Sequence, residues 1–136
     1  MTALFLDTSV IIDHLRGRPT PQVLELQRRA GLEVLLIGDL VLMEVLQGIR
    51  EPRLLRATEE VLAAFTCLDL AGARRARSAA HLYRQLRAAG VTPHSSIDVL
   101  IASFCVEEGL ELLASDRDFH LMAPLVGLRL WEPLLS

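Results

Sequence analysis

Lysine is absent from the chain, and all fourteen of its basic residues are arginine. That absence excludes chemistry. A P-loop needs a lysine on its phosphates, and a Schiff-base enzyme needs a lysine amine. Receiver domains and aspartate-nucleophile phosphatases place an aspartate at the end of a strand, but both rely on a lysine near the phosphoryl group. Cysteine is scarce: Cys67 and Cys105 lie far apart, without metal-ligand spacing. They read as two free core thiols suited to a reducing compartment. Long apolar runs are missing too. Each one meets an ionisable residue or a proline before the roughly 20 residues a membrane-spanning helix needs. The first residues carry no basic region leading into an apolar stretch and a cleavage site, so no secretory signal is read there. The expectation is a cytoplasmic protein with no membrane partner.

What remains is a chain of 136 residues, 51% of them hydrophobic, with a net charge of −3. That is enough to build one core, and a single domain over 1–136 is expected. Ala3–Leu6, Glu33–Ile37, Cys67–Leu70, Glu111–Ser115 and Leu128–Trp131 read as strands. Between them lie helical patterns: one capped by Thr8 or Ser9, one begun by Pro21, Leu40–Ile49, and one begun by Pro52 with Leu54, Leu55, Val61, Leu62 and Phe65 at apolar spacing. Further on come an arginine-rich helix from Gly72 to Ala89, one from Ser95 or Ser96 to Glu108, and a short helix or turn over Asp116–Met122. Strands that alternate with helices predict an α/β domain, its sheet mainly parallel and covered by helices on both faces.

Four acids stand in apolar surroundings. Asp7 follows LFL, Glu44 lies in LVLMEVLQG, Asp98 in SSIDVLIASF, and Asp116 follows ELLAS. Asp7 and Asp116 end strands, which is where open parallel sheets bind ligands. Each has an ordinary structural role open to it: Asp7 as a helix cap, Glu44 as a half-exposed helix residue, Asp98 as a capping-box partner of Ser95, Asp116 as a turn residue. Several buried carboxylates cannot all ionise close together without a cation. No lysine is available, and arginine is scarce around these segments apart from Arg117. Mg²⁺ or Mn²⁺, which favour oxygen ligands, would supply the charge. Asp118 reads equally as a solvated turn acid and an outer ligand. Asp13, Asp39 and Asp69 read as surface, cap and strand-end residues. His14, His81, His94 and His120 are scattered and read as surface or loop residues. No serine lies in a nucleophile elbow.

The blocks LFLDTSVIIDHL, MEVLQG with its E-x-x-x-G, IDVLIAS and LLASDRDF resemble, in order and spacing, those of PIN-domain ribonucleases. Length and block order resemble the VapC toxins of bacterial and archaeal toxin–antitoxin pairs. The likeness runs from Ala3 to Trp131, but Ile49 to Gly90 carries no signature. Ser115 departs from the family, which often has threonine there.

The resemblance implies a PIN-like fold in which Asp7, Glu44, Asp98 and Asp116 form a catalytic quartet binding one or two Mg²⁺ or Mn²⁺ ions. The implied reaction is endonucleolytic hydrolysis of RNA by water, leaving a 5′-phosphate and a 3′-hydroxyl. Ser9, Ser115 and Asp118 would support the ligands. Arg16, Arg18 and Arg117 would hold the RNA backbone. The family also implies a cognate antitoxin and a homodimer. Two other readings compete: a catalytically silent RNA- or protein-binding adaptor on the same fold, and a metal-dependent phosphatase.

Overall fold

The computed structural model describes residues 2–134. Five strands form one parallel sheet: β1 (Ala3–Leu6), β2 (Val34–Gly38), β3 (Thr66–Leu68), β4 (Glu111–Leu113) and β5 (Arg129–Leu130). Their order across the sheet is β3-β2-β1-β4-β5. The chain therefore starts in the middle, winds outward to β3, then returns to pair β4 with β1. The crevice at the carboxyl ends of β1 and β4 is the topological switch point, where such sheets hold ligands.

Seven helices join the strands: α1 (Thr8–Leu15), α2 (Pro21–Arg29), α3 (Asp39–Gln47), α4 (Pro52–Leu62), α5 (Ala73–Ala88), α6 (Ser96–Glu108) and α7 (Arg117–Val126). They pack as two groups. α1 meets α2 and α3, and α3 meets α4, whereas α5, α6 and α7 pack on one another. Because parallel crossovers are right-handed, reversing the winding direction after β3 places the two groups on opposite faces. The strands are consequently buried from both sides. Leu4, Phe5, Leu6, Ile37, Leu112 and Leu113 are almost completely inaccessible. α6 is apolar nearly all round and buries Val99, Ile101, Ala102, Phe104 and Cys105, as a helix inside the core should.

Several local expectations need correction. Asp7, not Thr8 or Ser9, caps α1, its side chain accepting from the Ser9 amide. Gly38 takes the N-cap of α3, so Asp39 is that helix's first residue. Its carboxylate instead accepts from the Leu70 amide at 3.0 Å and anchors the chain after β3. Cys67 is exposed on the edge strand, while Cys105 is buried. The last helix runs through Pro124 to Val126, well past Met122. On α4 only Thr58 and Leu62 are buried; Leu54, Leu55 and Val61 are exposed. Of the apolar positions spaced there, Leu62 and Phe65 reach the core and the others stay at the surface.

At the amino ends of the strands, Arg29 is 7% exposed and is surrounded by acids. It reaches Glu33 at 2.5 Å and Glu111 at 2.7 Å, with Glu25 at 3.7 Å. Hydrogen bonds from Arg29 hold the Glu33 carboxyl down to about 2. One cation thus ties the end of α2, the approach to β2 and the start of β4 together.

Gly38 ends β2 against the buried Leu70. A methyl group at Gly38 would overlap Leu70 Cδ1 and Cγ. Gly38→Ala is expected to lower the unfolding free energy by about 1–3 kcal/mol, as overpacking of a close-packed interior does. Urea denaturation with an unchanged m-value measures it.

Candidate active site

The register that pairs Leu6 with Leu113 brings Asp7 and the chain leading to Asp116 to one end of the sheet. The Asp7 amide donates to the Leu113 carbonyl at 3.0 Å, continuing the β1–β4 pairing by one residue. Ser9 then fastens the two strand ends. Its hydroxyl donates to Asp7 Oδ2 at 2.6 Å and accepts from the Ser115 amide at 3.0 Å. Asp7 is 3% exposed, and burial raises its pKa above the ordinary carboxylate range, with Asp116 adding to the effect.

Asp98 arrives from the first turn of α6. Ser95 caps that helix by accepting from the Ile97 and Asp98 amides at 3.2 and 3.4 Å. Desolvation raises the Asp98 pKa to about 7, reinforced by the negative charges of Asp7, Asp116 and Glu44 and by a hydrogen bond with Asp116. Three of the four acids expected from the sequence therefore act on the fourth, Asp98. Their closeness is uneven: carboxylate oxygens of Asp98, Asp116 and Asp118 lie within 4.8 Å of one another, a tighter group that takes in Asp118 in place of Asp7 and Glu44.

Two residues not expected at the site organise it. Thr8 Oγ1 donates to Glu44 Oε1 at 2.9 Å, so the helix that Asp7 caps also orients the acid of α3. A hydroxyl directly after a strand-end acid was the available signal. His94 donates its amide to Asp118 Oδ2 at 3.0 Å and sets its ring Nδ1 at 3.1 Å from the same oxygen. These contacts lower the Asp118 pKa. Asp116 in turn caps α7, accepting from the Asp118 amide at 2.9 Å. Arg117 is exposed next to the cluster. Arg16 and Arg18 follow α1, just past its last residue Leu15. Arg18 faces Asp13 at 3.4 Å.

The donor set suits a hard divalent cation. Every ionisable group in it except the His94 ring is a carboxylate, and among the described residues none of the four acids has an arginine partner. Ser115 Oγ is buried there without a hydrogen-bond partner, an open valence that a metal-bound group or a substrate oxygen would fill.

The PIN domain model matches residues 4–124. Ribonuclease VapC11 of Mycobacterium tuberculosis is 27% identical over 128 residues, covering 93% of this chain and 96% of that protein. Ribonuclease VapC19 of the same organism is 30% identical over 121 residues, 88% of this chain and 93% of that one. A solved structure, VapBC-5 of M. tuberculosis, a member of the VapBC family of toxin–antitoxin systems, superposes with a TM-score of 0.67 at 21% identity, covering 96% of this chain and 98% of that one. The chain belongs to the PIN-domain family, and within it to the VapC ribonucleases.

Asp98 titrates near 7 when folded against 3.8 when unfolded. The folded form holds its proton more tightly, so this contribution is complete below the unfolded value and is lost as pH rises through 7. In chelator, the melting temperature is expected to fall across that window. Asp98→Asn should flatten the slope, and Mn²⁺ should oppose it in the native protein only. Thr8→Val should weaken Mn²⁺ binding roughly tenfold, within the range for lost supporting contacts at metal sites, with little change in melting temperature. Calorimetric titration of the metal distinguishes these effects.

Proposed function

We propose that the chain is a divalent-metal-dependent endoribonuclease and the toxin of a toxin–antitoxin pair, working as one PIN-like domain over 1–136. The observation that carries the metal dependence is Asp98, a half-buried carboxyl facing three other acids with no cation to offset them. Asp7, Glu44, Asp98 and Asp116 would hold one or two Mg²⁺ or Mn²⁺ ions, with Asp118 adjoining. A bound ion supplies Lewis acidity that makes water a stronger nucleophile and screens the phosphodiester's charge.

The chain's own residues do the rest. Ser9 holds Asp7 through Oδ2, and Thr8 holds Glu44 through Oε1. The cluster lies at the switch point of the sheet, where an RNA strand would bind, and the exposed Arg117 beside it would meet a phosphate. Ser115 Oγ has hydrogen-bonding capacity to spare for a substrate oxygen.

Membership among the VapC ribonucleases supports RNA as substrate and a cognate antitoxin as partner. A homodimer is part of the same reading. No described helix is long and apolar enough to cross a membrane. A toxin that cleaves cellular RNA would act in the cytoplasm.

Purified protein should cleave RNA with Mg²⁺ or Mn²⁺ and leave 5′-phosphate ends. Asp98→Asn should reduce the rate at least a hundredfold while keeping the far-UV spectrum, as expected when a group acting on the reacting atoms is lost. Undiminished cleavage in excess chelator would refute metal dependence.

A further inference from the structure

A mainly apolar groove shares α6 with the acid cluster and is lined by none of its acids. It encloses about 480 Å³ between α5 and α6. Ala79 and Ala80 form part of its floor, Tyr83 and Arg84 line it from α5, and Ser96 and Val99 line it from α6. Ser96 and Val99 lie within one turn of Asp98 on the same helix. The groove and the acid cluster therefore share the first turn of α6.

Its charge is one-sided. No described residue that lines it is acidic. α5 contains five arginines and no acid. Arg74 and Arg75 are committed to Glu107 and Glu108 at 2.9 and 2.8 Å. Arg84, on the groove, has no ion-pair partner among the described residues. Arg87 stands 5.9 Å from the centre of the Tyr83 ring. An aromatic ring over a floor of small side chains, flanked by guanidinium groups, is what a flat aromatic base joined to a phosphate would fit. A second copy fits less well. An isologous contact would lay this arginine-rich helix against itself.

We propose that this groove is a nucleotide subsite: an unpaired base flanking the scissile bond stacks on Tyr83, and its phosphate meets Arg84. The proposal rests on the nuclease reading above. It adds to that reading a place outside the acid cluster where single-stranded RNA is gripped, which sets the register of the cut.

The test separates binding from cleavage. Binding of a short fluorescein-labelled single-stranded RNA is measured by anisotropy in the Asp98→Asn background. Adding Tyr83→Ala should weaken binding roughly tenfold, the usual loss when one base–aromatic stack is removed, while Tyr83→Phe should preserve it. Arg84→Ala should lower the slope of log affinity against log salt by about 0.7, as for one phosphate contact on a single strand. Arg56→Ala, an exposed arginine of α4, should leave the binding unchanged. In the otherwise native enzyme, Tyr83→Ala should raise KM while kcat changes little.

Binding that is equal in all these variants, or absent in Asp98→Asn alone, overturns the subsite. So does a change of mass in light scattering on Tyr83→Ala, which would assign the groove to a second copy. Failure of the native protein to cleave RNA would instead strike the nuclease reading. The anisotropy result reads the groove without any cleavage.

Discussion

Mutual repulsion among carboxylates is the constraint on which the site depends. The fold brings Asp7, Glu44, Asp98 and Asp116 from four distant parts of the chain to the ends of β1 and β4, and Asp98 responds with a pKa near 7. The opposite end of the sheet shows the alternative. There Arg29 gathers Glu25, Glu33 and Glu111, and Glu33 stays ionised down to about 2. Both ends collect acids, but among the described residues only one end has an arginine ion-paired to them. Where the protein supplies the charge, the cluster is structural. Where it does not, the cluster is left with an affinity for something from outside.

That division follows from topology as much as from composition. A parallel sheet that starts in its middle and reverses its winding must leave a crevice where β1 and β4 part. Strand-end residues fall into it, and helices that begin there contribute their first turns. Asp7 directly follows β1 and Asp116 comes shortly after β4; both are helix caps, and Asp98 sits three residues past a cap. Amides at these helix starts help to hold the carboxylates in place.

Much of this was legible in the sequence because the signals are local. Apolar runs ending in Asp7 and Asp116 marked strands and their ends, and Ser95 and Gly109 marked the limits of α6. Four acids in apolar context marked the cluster. What was not legible depends on contacts between distant residues. The capping of α1 was ambiguous because Asp7, Thr8 and Ser9 can all cap, and only the pull of Ser115 on the Ser9 hydroxyl separates their roles. Cys67 looked internal because β3 is apolar, but an edge strand is half open. Asp118 and His94 meet across 24 residues of chain, a pairing no spacing rule encodes.

The double duty of Asp7 has a practical side. Its carboxylate both starts a helix and contributes charge to the crevice, while the Ser9 bridge it anchors holds two strand ends in register. An inert stand-in for the protein, for instance one meant to be produced in cells or to capture bound partners, is therefore poorly made by truncating this side chain. Silence obtained that way would mix missing chemistry with a loosened scaffold. Asp98, whose helix is capped independently by Ser95, offers the cleaner place to switch the molecule off.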